Sequence, residues 1–293
     1  MRGLAAARAR PPRLSPEIPM SIAFDAAPAA RLHSVSAGAG PVVACLHSSG
    51  SSSGQWRQLI ESQQATHRFV AFDFHGHGRS PDFTGDAYEL RCESDAVFRG
   101  LPPSREPIHL VGHSYGGVVA LDLAVRYPAR FASVTVFEPV LFALLDPGSE
   151  EFAEITSVGF AIVRAARAGE RDVASAAFID YWNGTGSWRG LAAEQQRRVC
   201  TRIVPVARHF EALFADPLPL DRLRELRVPT LVLVGDRSPA PARAVCQRLG
   251  VLPFVAVEPL AGVAHMGPVT HPEEVNARIA RHLQAVSTLP IAA

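Results

Sequence analysis

One serine in this chain stands among glycines. Gly112, Ser114, Gly116 and Gly117 occupy the centre of IHLVGHSYGGVVALDL, residues Ile108–Leu123. An apolar strand pattern leads in and an apolar helical pattern leads out. A hydroxyl on a tight strand-to-helix turn needs small neighbours, because side chains would collide across the bend. Placed there, Ser114 Oγ stands at the carboxyl end of a sheet, where open α/β folds bind ligands. The helix that follows offers the Tyr115 N–H and its dipole to negative charge developing on a carbonyl oxygen. The chemistry such a turn serves is nucleophilic attack by serine. The bland alternative is a glycine-rich turn with a capping serine; strand, helix and second glycine together weigh against it. A serine nucleophile also needs a base, and the base needs a carboxylate to hold one tautomer. Eleven histidines compete for the first role.

The elements that must position these groups read as short apolar runs alternating with helical patterns. The runs are Pro41–His47, Arg68–Phe74, Pro107–His113, Ala132–Glu138, Val228–Asp236 and Pro253–Leu260. Strands apolar on both faces, alternating with helices, predict an α/β fold with a mostly parallel central sheet flanked by helices. From about Val140 to Asp216 the alternation stops. Three helix-like segments there, Ser149–Gly169, Glu170–Trp182 and Ala192–Phe214, predict an all-helical cap inserted over the sheet edge. The core is therefore expected over residues 21–139 and 217–287, the cap over 140–216 and a tail over 288–293. Residues 1–20 are Arg- and Pro-rich and read as a disordered extension or a start placed too early, since Met20 opens a more ordinary sequence.

The bulk numbers narrow the function classes. The chain has 293 residues, enough for a sizeable core. Net charge is +1, so no overall field draws in nucleic acid or an anionic membrane. All 29 basic residues are arginine. No run of about 18 apolar residues offers a membrane span. Cys45, Cys92, Cys200 and Cys246 form neither a zinc pattern nor a disulfide framework, so a reducing, cytoplasmic setting is expected. A small-molecule substrate is expected, with no nucleic acid, no metal and no organic cofactor, and with the chain as monomer or homodimer.

Four motifs together resemble the α/β-hydrolase superfamily: LHSSGSSSGQW (Leu46–Trp56), DFHGHGRS (Asp73–Ser80), GHSYGG (Gly112–Gly117) and AHMGPVTHPEEVN (Ala264–Asn276). The resemblance runs from about Ser21 to Val286. It implies that the loop after the strand ending at Leu46 completes an oxyanion hole. The family's His-Gly-X reads His47-Ser48-Ser49 here, which points to the Ser49 N–H beside that of Tyr115. Asp73 reads as a structural carboxylate accepting local N–H groups, and His75 and His77 as loop-packing residues. The family position of the catalytic base, between the last strand and the last helix, holds His265. His271 precedes Pro272 and reads as helix-starting; His113 should point away from the serine.

The acid has two candidates. The commonest family location, G-x-x-D after the strand TLVLVG, reads Gly235-Asp236-Arg237-Ser238 here, which leaves Asp236 two residues early. Some members, the haloalkane dehalogenases among them, carry the acid one strand earlier. There this chain has Glu138, 24 residues after Ser114. A glutamate after a buried strand needs a partner, since unpaired it costs several kcal/mol in desolvation. Glu138 is placed slightly ahead of Asp236, and both stay open.

The cap concentrates aromatics in Phe178–Trp188, and Trp56 opens the first helix. Trp56, Tyr181 and Trp182 are candidate pocket residues, though for any single aromatic plain packing is the more common role. The combined reading is a carboxylesterase-like serine hydrolase acting on small to medium, uncharged, apolar esters or lactones. A lactonase, a thioesterase, a carbon–carbon bond hydrolase, an acyltransferase and a ligand-binding receptor on the same fold are the alternatives. The serine argues against epoxide hydrolase and dehalogenase chemistry, where an aspartate holds that position.

Overall fold

A computed structural model describes residues 31–215 and 217–287. The expectations for residues 1–20 and for the tail at 288–293 lie outside the described residues. Seven strands form one sheet among the described residues, in the order β1-β3-β2-β4-β5-β6-β7. They are β1 (Ser34–Ala37), β2 (Val42–Leu46), β3 (Arg68–Phe72), β4 (Ile108–His113), β5 (Phe131–Phe137), β6 (Thr230–Gly235) and β7 (Val255–Leu260). All neighbours run parallel except β1, which pairs antiparallel with β3 at one edge. The continuous apolar runs follow from this arrangement: β2 and β4 are buried along their whole length because both sheet faces are covered. The six parallel strands fall where the apolar runs predict them. The edge strand β1 is short and largely exposed, and its sequence, Ser-Val-Ser-Ala, carries no such run.

Eleven α-helices and three single-turn 3-10 helices complete the described chain. The α-helices are α1 (Arg57–Gln63), α2 (Leu90–Gly100), α3 (Tyr115–Arg126), α4 (Glu150–Arg167), α5 (Arg171–Asn183), α6 (Ser187–Gly190), α7 (Ala193–Ala215), α8 (Leu220–Leu223), α9 (Ala240–Leu249), α10 (Gly267–Thr270) and α11 (Pro272–Ser287). Alternate side chains of each strand feed two cores. One face, with Val43, Cys45, Ala71 and Val111, packs on Trp56, Leu59 and Ile60 and on Val275, Ile279 and Leu283 of α11. The other, with Ala44, Leu46, Leu110 and Val136, packs on α2, α3 and α9 and runs into the helices between β5 and β6. That interval contains helices and no strand among its described residues. Its first long helix starts on a Ser149 cap, whose Oγ accepts from the Phe152 N–H at 3.2 Å, with Glu150 and Glu151 against the positive end of the dipole. No described helix is long and apolar enough to cross a membrane.

The chain winds from β2 outward to β3, then returns past β2 to β4. The carboxyl ends of β2 and β4 therefore flank the point where the winding reverses, where a crevice opens in open α/β sheets. The loops leaving β2, β4, β5, β6 and β7 all emerge at this edge, and every candidate catalytic side chain lies on one of them.

Candidate active site

Ser114 sits at the β4-to-α3 turn with φ 55° and ψ −118°, outside the regions that L residues ordinarily occupy. The glycines show why. A Cβ on Gly112 would lie 2.5 Å from the Gly116 carbonyl oxygen, and one on Gly116 would lie 2.4 Å from that of Leu46. The turn is thus too tight for side chains on either flank, and α3 starts hard against the end of β2. The Ser114 N–H donates to the Phe137 carbonyl at 3.0 Å, tying the turn to the end of β5. The first N–H groups of a helix have no intrahelical acceptor, so that of Tyr115 is available at this end.

The residue after Phe137 is Glu138, with φ 44°. Ser114 and Glu138 are the two non-glycine residues with positive φ among the described residues. Strain of this kind costs of order 1–3 kcal/mol and persists where the surroundings over-determine it. The Glu138 carboxylate is fully buried and fully used. Its Oε1 accepts from the Gly235 N–H at 2.7 Å and from Ser238 Oγ at 2.5 Å. Its Oε2 accepts from His265 Nδ1 at 2.7 Å. With Nδ1–H committed to a carboxylate, the Nε2 of a neutral His265 ring carries a lone pair, the form a general base requires.

Of the two carboxylates read from the sequence, Glu138 reaches the imidazole. Asp236 is exposed and accepts from the Gly262 N–H at 2.8 Å, closing the loop that leads toward His265 without touching its ring. The residue two places on, Ser238, occupies the position where G-x-x-D has its aspartate, and it donates to Glu138. A second carboxylate there would face Glu138 as a like charge.

His265 is fixed from two further sides. His113 Nε2 donates to the His265 carbonyl oxygen at 2.8 Å, and burial, with His265 nearby, holds the His113 ring well below its usual pKa and so neutral. Trp182 of α5 lies over the His265 ring, centroids 3.8 Å apart and planes 27° from parallel. Ser114, His265 and Glu138 are 6%, 2% and 0% exposed, so the site is closed beneath the helices between β5 and β6. No hydrogen bond joins the Ser114 hydroxyl to the His265 ring among the described residues.

Ser49, read as the second oxyanion donor, is half-buried in the loop after β2. That loop is pinned by buried histidines. His47 donates from Nδ1 to the Ser48 carbonyl at 2.7 Å and accepts the Phe74 N–H at Nε2, 3.0 Å. Burial, with His77 adding, pushes the His47 pKa down to about 3, which keeps that acceptor lone pair available. His77 accepts the Gly50 N–H at Nε2, 3.0 Å, and donates from Nδ1 to the His75 carbonyl at 2.9 Å. Asp73 accepts the N–H groups of Ser53 at 2.6 Å and Arg79 at 2.9 Å, the structural duty expected of it. Burial alone would raise its pKa, and these donors hold it below the usual value.

The three pocket candidates divide. Trp182 faces the His265 ring. Tyr181 turns to the surface of the helices between β5 and β6, its hydroxyl donating to Glu154 at 2.8 Å. Trp56 is a correction: it is 1% exposed in the core between the sheet and α11, on the face away from the insertion, and lines no pocket there. It opens the first helix as expected, but the hydrophobic stripe of α1 turns it inward. The sequence assigns no role to Ser238 or His209, and reads His113 only as pointing away from the serine. The serine standing where the family pattern has aspartate was the one signal for Ser238. His209 carries no local motif; it stacks on Tyr115 with centroids 3.8 Å apart, and its Nδ1 lies 2.7 Å from Ser49 Oγ.

The Alpha/beta hydrolase family model matches residues 43–278. Among curated proteins, the uncharacterized hydrolase YraK of Bacillus subtilis is 28% identical over 129 residues, 43% of this chain and 48% of that protein. The pimeloyl-(acyl-carrier protein) methyl ester esterase of Methylococcus capsulatus is 31% identical over 124 residues, 42% of this chain and 47% of that one. The chain thus aligns with under half the length of these relatives. Among solved structures, MGS-M2, an alpha/beta hydrolase enzyme from a Medee basin deep-sea metagenome library, superposes with a TM-score of 0.73 at 15% identity, over 89% of this chain and 96% of that one. At that identity the likeness concerns the fold.

Proposed function

We propose that this chain, which belongs to the alpha/beta hydrolase family, cleaves carboxylic esters or lactones of small to medium size through an acyl-enzyme on Ser114. Ser114 Oγ attacks the carbonyl while His265 Nε2 takes its proton, and the imidazolium then returns that proton to the leaving alkoxide. Glu138 holds the ring through Nδ1 and faces the positive charge that forms on it. The N–H groups of Tyr115 and Ser49 receive the oxyanion. A water, deprotonated by the same imidazole, releases the acid. The helices between β5 and β6 act as a cap, excluding bulk water from the reacting carbonyl.

What supports this reading is one coincidence of geometry. The two strained non-glycine residues are the serine at the helix start and the glutamate that grips the imidazole. In unliganded enzymes catalytic hydrogen bonds are often long and tighten with substrate, which suits a Ser114 hydroxyl not yet bonded to His265. Purified protein should release p-nitrophenol from p-nitrophenyl butyrate, and Ser114→Ala should abolish the release. A fluorophosphonate that labels Ser114 in protein turning over no ester would favour a ligand-binding receptor instead, a role the closed site would also suit.

A further inference from the structure

The helix α7 lays two polar side chains against the loop that holds Ser49. Arg202 and His209 are seven residues apart, two turns along one face. Arg202 Nη1 donates to the Gly50 carbonyl at 3.3 Å. His209 Nδ1 meets Ser49 Oγ at 2.7 Å. The other arginines of this helix are paired: Arg197 and Arg198 with Glu194, and Arg208 with Asp82. Arg202 alone among them has no carboxylate within ion-pair distance among the described residues, though it is half-buried. A guanidinium carries five donors, and one long bond to a carbonyl leaves most of them unused. His209 is 1% exposed, and its Nε2 has no hydrogen-bond partner among the described residues. Burial holds this ring neutral. With Ser49 Oγ donating to Nδ1, Nε2 carries the proton and is an unused donor. Both neighbours of the loop, His47 and His77, are kept neutral chiefly by burial, and each also feels the Arg202 charge.

We propose that Arg202, with His209 beside it, binds a carboxylate carried by the substrate, so that the favoured substrates are monoesters of short dicarboxylic acids. This rests on the reading of Ser114 as the hydrolytic centre. Arg202 contacts Gly50, the residue next to the proposed oxyanion donor Ser49. An acid group only a few carbons from the reacting carbonyl is the one that spans that gap. One guanidinium balances one carboxylate, which a phosphate dianion would overfill. Beside Gly50 the apolar surface is Phe178, whose Cε1 lies 3.3 Å from where a Gly50 Cβ would stand, and Arg202 is the cation that reaches the same residue.

The test is calorimetric binding of two slow-reacting amides of equal length, succinamate and butyramide. Wild type should bind succinamate at least tenfold more tightly. Arg202→Gln should bring the ratio of the two affinities close to one, and Arg202→Lys should keep part of the preference. Equal affinities in wild type, or a preference that survives Arg202→Gln, overturns the proposal. Turnover of the p-nitrophenyl esters of succinate and butyrate separates this from the parent reading. Cleavage of both with no preference for the charged ester, alongside equal amide affinities, leaves the hydrolase standing and removes the carboxylate site. Arg202-dependent binding of succinamate without cleavage of any ester leaves the site standing and removes the hydrolase.

Discussion

At the scale of single residues, the central division of labour is between two carboxylates. Glu138 is buried, holds the imidazole and is itself held by Gly235 and Ser238; Asp236 is exposed and holds a backbone N–H. Glu138→Gln keeps the shape but offers an amide where an acceptor is needed, so kcat on a p-nitrophenyl ester should fall by about 10²–10⁴-fold. Asp236→Asn should change kcat less than about threefold, since the amide oxygen still accepts the Gly262 N–H and only the charge on an exposed bond is lost, at a cost of roughly 1 kcal/mol of stability or less. Steady-state kinetics on the two variants decides between them, and the reverse ranking would move the acid to Asp236. Ser114 and His265 were legible because one sits in a local motif and the other between the last strand and the last helix. The carboxylate that meets His265 was only half legible, because two strand ends reach the same edge and spacing alone does not choose. Arg202 and His209 were not legible at all: on a 23-residue helix they look like any polar side chain until the fold shows what they face.

Elements set the precision of the site. Gly116 lets α3 begin against the end of β2, and a methyl group there would meet backbone, at 2.4 Å from the Leu46 carbonyl oxygen and 2.5 Å from that of His47. Backbone cannot rotate aside as a side chain can. Gly116→Ala should therefore destabilise the fold by about 1–3 kcal/mol or more, read as a lower urea midpoint, and should cost activity out of proportion to the loss of folded protein. The helix α5 contributes through Trp182, whose face covers His265. An indole face favours a cation by about 0.5–2 kcal/mol, so the imidazolium that the proposed mechanism forms would gain from it. Trp182→Ala should lower kcat about 2–30-fold, while Trp182→Phe keeps most of it; equal effects of the two would mean that the ring only packs. The alternation of strand and helix was readable from apolar runs because both sheet faces are covered. The short edge strand β1 was not, since Ser34 to Ala37 has little apolar surface to bury. Trp56 was misplaced for a related reason: sequence shows that a tryptophan opens a helix, not which face of the sheet that helix covers.

The molecule as a whole concentrates neutral histidines in its interior. His47, His77, His113 and His209 are lowered chiefly by burial, and so is His109, to about 4. In the unfolded chain each titrates near ~6.5. Above that pH neither state binds the proton and stability is complete. Below it the unfolded chain takes up protons that the fold refuses, and stability falls as pH drops toward the folded values, about 3 for His47. Each such histidine contributes a slope of about 1.4 kcal/mol per pH unit. Urea unfolding at pH 7.5, 6.5 and 5.5 should show a steepening loss of stability, whereas a flat profile would mean that these rings take up protons in the fold as readily as in the unfolded chain. The same packing brings five strand ends to one edge and closes it with helices, so that a serine, an imidazole and a carboxylate from distant parts of the chain share one buried place. The most direct test of that convergence is to quench the protein during turnover of p-nitrophenyl acetate and locate the acyl group by peptide mass spectrometry. An acetyl group on Ser114 should accumulate in wild type and be absent in His265→Ala; nitrophenol released with the acetyl group on another residue, or on none, would contradict the acyl-enzyme on Ser114.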